Sequence, residues 1–144
     1  SRTRYAKKLY ARPMNSVPRV LIVEDSPDYS DLFSRILTSA GYEVDVVADP
    51  LAGLRKARAE AFDILLLDNN FATSVIPGLG VLAVLKNIPH LKILMLTASL
   101  DAKTKVEAKL LGADAFLTKP VDADMLLSVV AKLLNHPGRP LGSK

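Results

Sequence analysis

Five polar residues in this sequence close short apolar runs. Glu24 and Asp25 end RVLIVED, Asp68 ends DILLLD, Thr97 ends KILMLT, and Lys119 follows DAFLT. A short apolar run bounded by polar residues reads as a buried strand. Open parallel sheets carry their sites at the carboxyl ends of such strands. Three carboxylates, one hydroxyl and one ammonium are therefore expected to meet in one crevice. Carboxylates crowded together repel and do not all stay ionised without a counter-charge. A hard divalent cation such as Mg2+ supplies one, because it takes oxygen ligands and shares them with phosphate. Lys119 supplies another. The set is suited to stabilising a phosphoryl group in transfer, with Asp68 as the nucleophile that would form an aspartyl phosphate.

Each residue also has a plainer reading. Asp68, followed by Asn69 and Asn70, fits an ordinary turn. Ser26 and Pro27 fit a helix start, with Ser26 as N-cap and Pro27 at the first helical position. Thr97 suits any strand, Lys119 any solvated surface and Phe116 any core. The joint placement of the polar five at the ends of successive strands favours the chemical reading.

The elements that must position them follow from periodicity. Apolar runs at 19–24, 63–68 and 92–97 read as central strands, and the alternating segment 42–48, with Val44 and Val46 on one side, as an edge strand. A fifth strand is expected at 114–118. Helical spacing covers 27–40 (Leu32, Phe33, Ile36, Leu37, Ala40), 50–59 (Leu51, Leu54), 81–88, 102–111 with Val106 and Leu110 inward, and 122–135. The last of these carries Met125, Leu126, Val129, Val130, Leu133 and Leu134 on one side. Gly41 and Gly112 stand as helix stops. Strands alternating with helices predict an α/β fold: a doubly wound five-stranded parallel sheet with five helices.

Composition limits the alternatives. The 144 residues contain no Cys and two His, and 49% are apolar. A disulfide framework, a thiol nucleophile and a Cys-ligated metal are excluded, and no apolar run is long enough to cross a membrane. His90 and His136 receive no role. The net charge of +4 first suggests a nucleic-acid partner. Residues 1–13, however, hold Arg2, Arg4, Lys7, Lys8 and Arg12 with no acid, whereas residues 19–136 carry 12 basic and 15 acidic residues. Residues 1–17 read as a basic tail or linker, 18–136 as the folded domain, and 137–144 as a second tail. Direct nucleic-acid binding by the domain is not expected.

Taken together, VLIVEDSP, DILLLD, MLTA and GADAFLTKP resemble the receiver domain of two-component response regulators, over residues 19–135. The resemblance implies the flavodoxin-like strand order 2-1-3-4-5, Asp68 as phospho-acceptor, and Thr97 and Lys119 as its partners. It implies Mg2+ held by Glu24, Asp25, Asp68 and the backbone carbonyl of Asn70. It makes Phe116, three residues before Lys119–Pro120, a switch aromatic acting with Thr97, and it implies a cis Lys119–Pro120 bond. It also implies a cytoplasmic signalling module, not an enzyme in its own right, and a monomer or weak homodimer. The phosphoryl donor would be a histidine kinase or phosphotransfer protein. A downstream protein would dock on the face of the fourth helix, fifth strand and fifth helix. Lys103, Lys105 and Lys109 on that fourth helix read as a solvated face or as part of the docking surface.

One stretch departs from the family pattern. NNFATSVI separates Asp68 from Pro77–Gly78, about five residues more than the family's turn, and long loops of this kind are often functional. It motivates a second reading, an atypical receiver that binds partners without phosphorylation. A haloacid-dehalogenase-like phosphatase would need an acid where Asn70 stands.

Overall fold

The computed structural model describes residues 16–68, 84–98, 106, 109–110 and 112–134. Five strands, β1 (Arg19–Val23), β2 (Glu43–Val47), β3 (Ile64–Asp68), β4 (Lys92–Thr97) and β5 (Ala115–Thr118), form one sheet. Every pairing is parallel, as the alternation of strands and helices predicts, and their order is β2-β1-β3-β4-β5, as the resemblance implied. Three helices are complete among the described residues: α1 (Pro27–Ser39), α2 (Pro50–Ala59) and α3 (Ala123–Leu134). Residues 84–85, 106 and 109–110 are helical as well, within the predicted spans 81–88 and 102–111. Residues 1–15, the 69–80 loop with Asn70, Lys103, Lys105 and His136 lie outside the described residues.

Each central strand is apolar between its ends because both of its faces are covered. In β1, Val20 and Ile22 point to one side, where Phe33 and Leu37 of α1 and Leu126 and Val130 of α3 pack. Leu21 and Val23 point to the other, against Ala57 of α2, Phe62 and Leu85. Helix α1 starts with Pro27 in its first turn, and it ends in a paired C-terminal motif. Gly41 N–H donates to Thr38 O and Tyr42 N–H to Leu37 O, while Gly41 takes φ +97°. Only glycine accepts that conformation without steric cost.

Carboxylates fasten the amino ends of the strands. Asp63 Oδ2 accepts from Arg19 N–H at 2.7 Å and Asp114 Oδ2 from Ile93 N–H at 2.7 Å. These bonds set the register that brings the opposite strand ends level.

Several helix positions differ from the sequence expectation. Leu32, Leu51 and Met125 are exposed, and Val106 and Leu110 are 58% and 75% exposed where an inward face was expected. A 3.6-residue period locates an apolar stripe but not its width or which part of it meets the sheet. Val46 is exposed too, because β2 is an edge strand. Ser26 occupies the N-cap position of α1, but its side chain makes no capping bond. At α2 the cap is made by Asp49, which accepts from Ala52 N–H at 3.0 Å.

Gly53 of α2 packs close against the sheet. A Cβ there would lie 2.7 Å from Val23 Cγ2 and 3.3 Å from Val47 Cγ2, both on strands that lead to the site. Gly53→Ala gains about 1 kcal/mol of helix propensity, but the clash with branched, packed side chains outweighs it. Urea denaturation should show a net loss of about 1–2 kcal/mol.

Candidate functional site

The sheet delivers the predicted residues to one edge. Val23 pairs with Leu67, Asp68 with Leu96 and Thr97 with Thr118. Glu24, Asp68, Thr97 and Lys119 therefore leave the sheet side by side at the carboxyl ends of β1, β3, β4 and β5. Two backbone bonds hold this rim in place. Glu24 N–H donates to Val47 O at 3.0 Å, and Lys119 N–H donates to Thr97 O at 2.8 Å. Lys119–Pro120 is a cis peptide, as the resemblance implied.

Burial separates the members. Glu24, Asp68 and Thr97 are 2%, 1% and 3% exposed, whereas Asp25 is exposed. One carboxylate oxygen from each of Glu24, Asp25 and Asp68 can lie within 4.8 Å of the others, a donor set suited to a hard cation. The Lys119 ammonium reaches into the same cluster, 3.1 Å from Glu24 Oε1 and 3.3 Å from Asp68 Oδ1. The second Glu24 oxygen accepts from Ser26 N–H at 3.2 Å. Ser26 thus serves Glu24 with its backbone instead of capping α1 with its hydroxyl.

Sequence reasoning missed one neighbour. The ammonium of Lys119 sits over the ring of Tyr29, 4.2 Å from its centroid. Tyr29 in turn stacks on Phe33, with centroids 5.7 Å apart and planes inclined by 29°. Spacing gives no signal for this contact, because it joins the first turn of α1 to the end of β5. Phe116 is half-buried and packs against the core face shared with α2. It also lines a groove of about 330 Å³ with Leu117, Thr118, Pro120, Val121, Asp122 and Met125.

Burial pushes the Glu24 carboxyl up to about 7. The Lys119 ammonium opposes that shift and the neighbouring Asp68 charge adds to it. A carboxyl that is desolvated and beside a second carboxylate keeps its proton unless another cation takes its place.

The stability consequence has a definite sign. Between its ordinary value of 4.5 and about 7, Glu24 holds a proton in the folded chain that the unfolded chain has released. Its contribution is complete below pH 4.5 and is lost as pH rises through 7. In urea titrations of metal-free protein, stability should fall over this interval by at most about 3 kcal/mol on account of Glu24. Glu24→Gln should flatten that part of the profile.

A family model described as the response regulator receiver domain matches residues 20–131. The transcriptional activator protein IrlR of Burkholderia pseudomallei strain 1026b is 35% identical over 121 residues. That match takes in 82% of this chain and 51% of the relative, so the chain spans about half the length of that curated protein. A CheY-like response regulator receiver domain protein from Methanospirillum hungatei JF-1 superposes with a TM-score of 0.78 at 30% identity, covering 86% of this chain and 98% of the other. The receiver domain of sensor histidine kinase PA1611 from Pseudomonas aeruginosa PAO1, solved with a magnesium ion in its active-site cleft, shares the fold at 24% identity and a TM-score of 0.74, covering 83% of this chain and 99% of the other. With the sheet order and the residues at its carboxyl edge, these matches establish that the chain belongs to the response regulator receiver domain family, the signalling module of two-component systems.

Proposed function

We propose that this receiver domain is a phosphorylation-activated switch in which Asp68 accepts a phosphoryl group from a phosphohistidine. The observation that carries the reading is the convergence of Glu24, Asp25 and Asp68 within 4.8 Å, with the Lys119 ammonium on two of the three. Receiver domains are signalling modules and not enzymes with a released product; here the outcome is a shift between two conformations. The donor is a histidine kinase or a phosphotransfer protein.

An Asp68 oxygen forms the new O–P bond as the P–N bond of the phosphohistidine breaks, and the imidazole leaves with the electron pair. Lys119 then pairs with the phosphoryl oxygens. The hydroxyl of Thr97 hydrogen-bonds one of them, and the shift of Thr97 lets Phe116 turn inward. Phe116 carries no hydroxyl, so its inward state buries no unpaired polar atom. The change reaches the surface of residues 102–111, β5 and α3, where a downstream protein docks.

Glu24, Asp25 and Asp68 would hold Mg2+, joined by the backbone carbonyl of Asn70. The donor set fits: the ligands are hard oxygens, and burial leaves Glu24 holding a proton that a cation would displace. When bound, the ion neutralises charge on the transferring phosphoryl group.

Incubation with acetyl phosphate and Mg2+ should add one phosphoryl group to the intact mass. Asp68→Asn, or chelation of Mg2+, should abolish the gain. An unchanged mass, with no spectral response to beryllofluoride and Mg2+, would overturn the reading in favour of a receiver that binds partners without phosphorylation.

A further inference from the structure

Lys119 has a long, flexible stem, and ordering such a side chain carries a substantial entropic cost. Its side chain is 11% exposed, and among the described residues its ammonium has three neighbours: Glu24 Oε1, Asp68 Oδ1 and the face of Tyr29. The first two belong to the acidic cluster. If a cation or a phosphoryl group engages those oxygens, their hold on the ammonium weakens. The ring is different in kind. It attracts the cation through its quadrupole and offers no carboxylate to a metal.

The ring itself is well anchored. Tyr29 lies in the first turn of α1 and stacks on Phe33, which is fully buried against the sheet. The Phe33 platform fixes the ring's height above the crevice.

We propose that Tyr29 is a positioning residue for Lys119: its ring face tethers the ammonium at the acidic cluster whatever else the carboxylates bind. The inference rests on reading that cluster as the phosphoryl site. Tyr29 touches no reacting atom. It acts by keeping Lys119 at hand when Glu24 and Asp68 are otherwise engaged.

The test is competitive acetylation of lysines by acetic anhydride in saturating Mg2+, resolved by residue with mass spectrometry. The rate at Lys119 is taken relative to Lys92 in the same sample. In Tyr29→Leu, Lys119 should react about 3–10 times faster than in the wild type. Tyr29→Phe and Tyr29→Trp keep a ring face and should stay within about twofold of it. A side chain that merely covers Lys119 would be replaced by leucine as well as by phenylalanine. Equal rates in Tyr29→Leu and Tyr29→Phe, whether both raised or both unchanged, would therefore overturn the proposal. If Tyr29→Leu proves unfolded by circular dichroism, Tyr29→Met takes its place under the same criteria. The same samples given acetyl phosphate and weighed report separately on Asp68. A wild-type chain that takes up no phosphate ends the phosphoryl reading, while the acetylation series alone decides the role of Tyr29.

Discussion

Glu24 and Asp68 are both shut away from water, and one ammonium, that of Lys119, lies against the two of them. With Asp25 at the mouth, three carboxylates lie within reach of one another beside it. Buried charge is tolerated only when it is matched, and Lys119 supplies part of that match. Burial, with the Asp68 charge beside it, leaves Glu24 holding a proton to about pH 7.

The rest of the fold maintains that crowding. Parallel pairing sends every strand's carboxyl end to the same edge, and the register of β1, β3, β4 and β5 brings the polar residues level. The apolar interiors of these strands, packed on both faces, keep the edge from spreading. Backbone bonds from Glu24 to Val47 and from Lys119 to Thr97 fix two members directly. Gly53 lets α2 close down on Val23, the residue immediately before Glu24. Packing of order tens of side chains thus holds together a few charges that would otherwise separate.

What could be read from the sequence tracks this division of labour. The central strands and the residues at their ends are legible because buried parallel strands are apolar runs that stop at polar residues, whereas the strand order comes from the family resemblance. Side-chain choices that depend on three-dimensional neighbours are not. Ser26 looks like a helix cap, yet its backbone N–H serves Glu24. Val106 and Leu110 look inward by their spacing, yet both are exposed, because period alone does not say which part of an apolar stripe meets the sheet. Tyr29 over Lys119 joins residues far apart in the chain and leaves no local mark. The roles of Asn70 and of the long segment after Asp68 concern residues outside those described.

The opposite end of the sheet shows why the acidic cluster is more than ordinary surface charge. There Glu43, Asp45 and Glu60 gather around Arg19 and Lys56, with contacts of 2.9–3.5 Å. Arg19 also lies over the Phe62 ring, 4.4 Å from its centroid. Again three carboxylates meet, but two cations answer them and water reaches the group. The direction of titration reverses accordingly. Arg19 and Lys56 hold the Glu60 carboxyl below its ordinary value, whereas burial drives Glu24 above it. Exposed pairs of the first kind contribute little individually and weaken with salt; they brace the start of β1 and ask for nothing more. The second kind is dry and placed at the carboxyl edge. Similar residue types thus brace one end of the sheet and form a dry, crowded cluster at the other, and the difference lies in solvent access.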